Sequence, residues 1–165
     1  NRVHIGNGSV TWIGGQVNWA TYSDARLKTN VHEDVRGLDF IKRLRPVTYN
    51  IDLDAMLDWK ERHYGERDAS DYPEKYDIES QLFSGFIAQE VEAAAEAADY
   101  NFSGVSSPEN EKDLYALRYA EFVVPLVKAV QELAGQVNAQ QELINMLSAK
   151  IKALEESRYS VTSNK

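Results

Sequence analysis

Residues 126–154 read Leu126-Val-Lys-Ala-Val130-Gln-Glu-Leu133-Ala-Gly-Gln-Val137-Asn-Ala-Gln140-Gln-Glu-Leu-Ile144-Asn-Met-Leu147-Ser-Ala-Lys-Ile151-Lys-Ala-Leu154. Leu126, Val130, Leu133, Val137, Ile144, Leu147, Ile151 and Leu154 alternate spacings of four and three, and Gln140 takes the remaining d position. An apolar stripe with this period is a coiled-coil seam on a helix. The stretch makes about 43 Å of helix at ~1.5 Å per residue, against a radius of gyration of ~15 Å for a compact globule of this length. One copy would leave most of that stripe in water, so self-association is expected over an amphipathic helix packed on its own domain. β-branched a positions (Val130, Val137, Ile144, Ile151) with mostly Leu at d favour two strands, while Gln140 and Gly135 weaken that preference. The heptads leave the oligomer number open. Pro125, one residue before the seam, lacks an amide donor and predicts a kink or restart of a helix begun near Tyr119.

Around this helix the composition is that of one ordinary globular domain: 165 residues, 43% apolar, 27% charged. No stretch approaches the ~18 apolar residues of a membrane span, and no membrane partner is expected. With 18 Lys+Arg against 26 Asp+Glu and a net charge of -8, the electrostatic attraction that drives nucleic-acid binding has the wrong sign. The chain has no cysteine, which excludes disulfides, thiolate metal sites and a cysteine nucleophile. No basic segment followed by an apolar one opens the chain, and residue 1 lies directly in a β-like pattern, so the chain is expected to begin partway through a longer protein.

Four segments follow one another, and the fold class they predict is α+β. Residues 1–22 carry a period of seven in which Val3, Val10 and Val17 align, as do Ile5, Trp12 and Trp19, between Gly and Asn residues. Each unit reads as a short strand and a turn, too small to bury its apolar face alone, and the segment is expected to be the end of a β-rich fibre stalk covered by neighbouring units or copies. Residues 23–113 are mixed, with strands expected at Pro46–Ile51 and Ser84–Ile87 and helices at Leu38–Arg45 and Gln89–Ala97. The acidic, aromatic stretch 52–79, with breakers Asp68, Asp71 and Pro73, reads as a surface insertion. Residues 114–157 form the helical coil, and 158–165 a polar tail.

Several apparent sites fail. Asn50, Asp52, Asp54 and Glu61 fall at calcium-loop positions, but Ala55 stands where the loop needs glycine. Gly6-Asn-Gly8 lacks the third glycine and helix of a dinucleotide fingerprint. His4, His32 and His63 have no metal-ligand spacing. Asn7-Gly-Ser9 and Asn101-Phe-Ser103 are glycosylation triplets with meaning only in a secreted eukaryotic chain. No cofactor and no metal are expected.

The stretch Ser23-Asp24-Ala25-Arg26-Leu27-Lys28-Thr29-Asn30-Val31 reads by itself as a helix start, with Ser23 as N-cap, Asp24 in the first turn and Arg26 and Lys28 solvated. Taken with the rest it closely resembles the opening Ser-Asp-x-Arg-Leu-Lys-x-Asn signature of the S74 peptidase family, the C-terminal intramolecular chaperone domains of phage tail spikes, tail fibres and endosialidases, found also in myelin regulatory factors. Leu38-Asp-Phe-Ile-Lys-Arg-Leu-Arg-Pro-Val-Thr-Tyr49 is similar to the family's helix-to-strand element, and Gly85-Phe-Ile-Ala-Gln-Glu-Val91 to its Gly-Phe-Ile-Ala-Gln-Glu-Val run. Tyr115 to Tyr119 and Pro125-Leu-Val-Lys-Ala-Val-Gln-Glu-Leu133 resemble its entry into the terminal helix. The resemblance covers residues 23–154 with the motifs in order, and the insertion at 52–79 is a local departure.

The resemblance implies a homotrimer that templates folding of the fibre stalk upstream in the same polypeptide and then cuts itself free, in a virion tail-fibre precursor assembled in the host cytoplasm. Ser23 would be the nucleophile and Lys28 its base, with Tyr22–Ser23 the scissile bond; Asp24 and Arg26 are assigned to orienting the turn and binding one another. A hydroxyl is a weak nucleophile without a base, and a lysine amine accepts its proton only when neutral. Desolvation, helped by Arg26 as a nearby cation, favours that state. Five residues in extended form span about 17 Å, so either residues 23–28 turn or Lys28 of a neighbouring chain completes the pair. The competing readings are a structural trimerisation module in which Ser23 is only an N-cap, and a myelin-regulatory-factor-like processing domain.

Overall fold

The computed structural model describes residues 13–65 and 75–162. Residues 1–12 of the repeat and the breakers Asp68, Asp71 and Pro73 lie outside the described residues. In chain order a 3-10 turn at Ala25–Leu27 is followed by α1 (Leu38–Ile41), β1 (Val47–Tyr49), α2 (Leu53–Tyr64), α3 (Lys75–Ser80), β2 (Phe83–Gly85), α4 (Ala88–Ala97), β3 (Val105–Ser106) and β4 (Ala116–Leu117). A second 3-10 turn at Tyr119–Phe122 leads into α5 (Val123–Thr162). The mixture of helices with small sheets is α+β. The described residues fall into two compact units, one drawn from 13–33, 45–91 and 107–116 and the other from 34–44, 92–106 and 117–162.

In the first unit β1 and β2 pair antiparallel with Val47 opposite Gly85, Thr48 opposite Ser84 and Tyr49 opposite Phe83. The Tyr49 and Phe83 rings stack at 5.9 Å, the cross-strand aromatic pairing that stabilises a two-stranded ribbon. β2 ends before Ile87 because the Ile87 carbonyl already accepts from Glu90 N–H at 3.0 Å and Val91 N–H at 3.1 Å, the first bonds of α4. Of the stretch read as an insertion, Leu53–Tyr64 and the residues from Lys75 are helical. Asp52 accepts from Ala55 N–H at 2.8 Å as N-cap of α2, Leu53 is buried, and Gly65 ends the helix at φ 69°, the left-handed position that favours glycine. Residues 13–24 hold no strand, which corrects the expectation for the third repeat unit. Val17 and Trp19 are exposed, and among the described residues a strand of three residues there has no ladder partner.

The second unit is organised around Phe40, which is 0% exposed. Its ring meets Phe102 at 4.8 Å, Tyr100 at 5.3 Å and Phe122 at 6.5 Å, contacts worth more than area alone when tilted or edge-on. α1 stops at Ile41, short of the expected Arg45: Arg43 and Leu44 N–H tighten onto Phe40 and Ile41 C=O at 3.0 and 3.2 Å, and the residue before Pro46 is disfavoured in a helix. α1 lies on α5 at close range: a Cβ at Gly37 would fall 2.8 Å from Ala129 N, and Glu132 accepts from Leu38 N–H at 2.7 Å. α4 ends in a left-handed Asp99 (φ 48°), with Tyr100 N–H bonded to Ala95 C=O at 3.0 Å, and Arg36 reaches Asp99 at 3.4 Å. Arg118 N–H donates to Gly104 C=O at 2.8 Å beside β3.

α5 restarts the chain at Val123 after the 3-10 turn, with Pro125 in its first turn, where an amide has no intrahelical acceptor in any case. It runs about 60 Å at ~1.5 Å per residue and extends to Thr162, beyond the expected end at 157. Two stripes share it. Phe122 just before it, with Pro125 and Ala129, is buried. The heptad residues occupy the adjoining stripe, centred roughly 50° away at ~100° per residue, and are uncovered: Val137 is 60% exposed and Ile144 55%.

Candidate active site

Residues 22–31 assemble by local hydrogen bonding. Asp24 sits in extended backbone (φ -68°, ψ 133°) and its carboxylate accepts from Arg26 N–H at 2.9 Å, the N-cap arrangement. Leu27 N–H reaches Asp24 C=O at 3.0 Å and Lys28 N–H reaches Ala25 C=O at 3.2 Å, closing the 3-10 turn. Asp24, not Ser23, is therefore the cap, which corrects the helix-start reading. Both residue types cap well, and the one whose neighbour at i+2 turns back is the one used. The turn draws the chain in so that Lys28 Nζ donates to Ser23 Oγ at 2.8 Å within one chain. Tyr22, whose carbonyl precedes Ser23, has its side chain in water.

Arg26 folds back onto Asp24: Nε lies 3.0 Å from Oδ1 and a terminal nitrogen 2.6 Å from Oδ2. This fork, chiefly through the side-chain hydrogen bonds and then through the backbone one, holds the Asp24 carboxyl below the usual carboxylate range, and it raises the Arg26 guanidinium. The cation expected to influence Lys28 is thus matched by a carboxylate on the same turn. Residues 13–34 are all solvent-exposed. The pair has its contact, but this chain by itself does not dry it.

The other motif segments are structural. In the first unit Arg45 donates to both Glu90 oxygens, Nε at 2.9 Å, so the helix-to-strand element is pinned to the Gly-Phe-Ile-Ala-Gln-Glu-Val run. This pairing lowers the Glu90 carboxyl and raises Arg45, first by hydrogen bonding. Val91 of the same run is buried, as is Phe40 of the helix-to-strand element. Asn30 in the signature has φ 52°, a conformation that periodicity and composition do not reveal. Of the rejected sites, Asp52 is occupied in capping α2 and His63 packs its ring on Trp59 at 5.1 Å. Among the described residues no three His, Cys, Asp or Glu side chains converge as a metal site would require, and no helix is long and apolar enough to cross a membrane.

No curated protein and no solved structure matches the chain. A family model does match, from Ser23, the first member of the hydrogen-bonded pair, to Tyr100, which closes α4 against Phe40. Residues 23–100 match the model of the Peptidase_S74 family, the chaperone of endosialidase.

Proposed function

We propose that the chain is a self-releasing folding module: it assembles as a homotrimer through α5, templates the fibre stalk that precedes it in the same polypeptide, and then cuts the Tyr22–Ser23 bond. The setting is a tail-fibre precursor assembled in the host cytoplasm. The observation that carries the reading is the hydrogen bond of 2.8 Å between Lys28 Nζ and Ser23 Oγ, which puts a nucleophile and a base within reach across a single turn.

In the reaction Lys28, neutral, takes the Ser23 hydroxyl proton as Oγ bonds to the Tyr22 carbonyl carbon. The C–N bond breaks, and the proton passes to the departing Ser23 amine. Tyr22 is left as an ester on Ser23 Oγ, and a water molecule hydrolyses it to free the Tyr22 carboxylate and restore the hydroxyl. Asp24 and Arg26 hold the turn. A charged lysine is useless in the first step, and removing the amine from water is the strongest way to discharge it. Since residues 13–34 are exposed in one chain, the dry surroundings come from neighbouring copies, and cutting follows assembly.

A denaturing gel of freshly expressed protein tests the reading. The chain should separate into 1–22 and 23–165, and Ser23→Ala and Lys28→Ala should each stay whole. A wild-type chain that remains intact at every pH overturns it.

A further inference from the structure

Lys28 is fastened on one side only. Upstream, the Asp24-capped turn fixes its approach to Ser23 with three hydrogen bonds from Arg26. Downstream, no backbone hydrogen bond among the described residues ties residues 29–33 to anything. Lys28 itself is extended (φ -109°, ψ 134°). The direction in which the chain leaves it is set two residues on by Asn30, at φ 52°. Among the described residues only Asn30 and Asp99 are non-glycine residues with positive φ. Asp99 has an evident reason, the end of α4. Asn30 ends no helix; it bends an exposed segment without helix or strand, two residues after the dyad lysine.

A left-handed residue costs most L-amino acids conformational energy, and asparagine tolerates it best after glycine. A bend that most residues would relax is retained here beside a reactive pair, the kind of place where such backbone is put to use. We propose that Asn30 is a positioning residue: its left-handed backbone turns the chain away after Lys28, so that the lysine main chain cannot straighten past the turn and carry Nζ away from Ser23 Oγ. The inference rests on the self-cleavage reading and deepens it. The backbone conformation at Asn30, not its amide group, is the active feature.

The distinguishing experiment is a substitution series in the full chain, with cleavage at Tyr22–Ser23 followed over time. Asn30→Gly should cut at the wild-type rate or faster, Asn30→Asp slightly slower, and Asn30→Ala and Asn30→Val roughly 5- to 30-fold slower, since the left-handed penalty lowers the fraction of chains with the pair in register by about that factor. Circular dichroism and sedimentation on each variant report the fold and assembly. Should Asn30→Val fold poorly, the Gly-against-Ala comparison decides alone. Asp99→Val, strained at a helix end elsewhere, should lose stability and keep the wild-type rate per folded molecule. Glycine as slow as valine, or all four variants at the wild-type rate, overturns the assignment while leaving self-cleavage intact. A wild-type chain that stays whole, or a Ser23→Ala chain that cuts, overturns both.

Discussion

Around Phe40 the chain closes upon itself, whereas around Ser23 it stands in water. Phe40 is 0% exposed, with three aromatic rings within 6.5 Å and α5 behind its helix. Ser23 and Lys28 touch each other, yet every residue from 13 to 34 is exposed. Both regions begin in stretches that resemble the same family. One holds motif residues that a single chain satisfies in full. The other holds a pair whose contact is made locally, while the burial that its proposed chemistry needs must be added from outside. The same contrast divides α5, whose Phe122, Pro125 and Ala129 stripe is covered and whose heptad stripe is not.

The contrast can be broken most severely at the uncovered stripe. If the heptads are the surface that a second and third copy cover, Ile144→Asp with Ile151→Asp places unpaired charges in the seam, and sedimentation should show complete loss of self-association while the Phe40 core still unfolds cooperatively. Phe40→Ala attacks the finished region instead. A buried Phe→Ala change costs about 3–5 kcal/mol, read as a lowered denaturant midpoint. Persistence of the wild-type midpoint would mean that this core is not what holds the second unit.

How much of this contrast is legible in the sequence depends on the distance over which each signal acts. The heptad stripe is visible because it repeats, and the spacing of Ser23 and Lys28 is visible because a turn can join them. The second stripe of α5 is hidden behind the first: Pro125 and Ala129 do not register as a face until α1 is seen to pack there, with no room for a Cβ at Gly37. α2 escaped recognition although its cap Asp52 and its stop Gly65 are ordinary signals, because Asp52 also fits a calcium-loop spacing and the acidic run beyond suggests a loop. The positive φ of Asn30 and Asp99 leaves no mark, since both residue types are equally at home in turns. The choice of Asp24 over Ser23 as cap turns on one residue of register.

Two smaller effects sharpen the comparison. A Cβ at Gly135 would meet nothing within 4 Å, and the residue lies at an f position, away from the seam. Gly135→Ala should therefore stabilise α5 by about 1 kcal/mol from helix propensity alone, seen as a higher melting temperature with assembly unchanged. The smallest effect belongs to the Arg45–Glu90 fork. Because Arg45 lowers the Glu90 carboxyl in the folded chain, its stabilisation is present above the ordinary carboxylate value and is lost as pH falls through the lowered one. Arg45→Ala should lower the denaturant midpoint slightly above the ordinary carboxylate value and flatten the acid-side slope of a pH series, so that variant and wild type converge in acid.

The central claim is that copies of this chain jointly complete a pair that each chain only brings together. Its most direct test is the rate of Tyr22–Ser23 cleavage in the wild-type chain beside the Ile144→Asp, Ile151→Asp chain under identical conditions. The account predicts cutting in the first and an intact second. Equal rates in both, with the second shown to be monomeric, would contradict it.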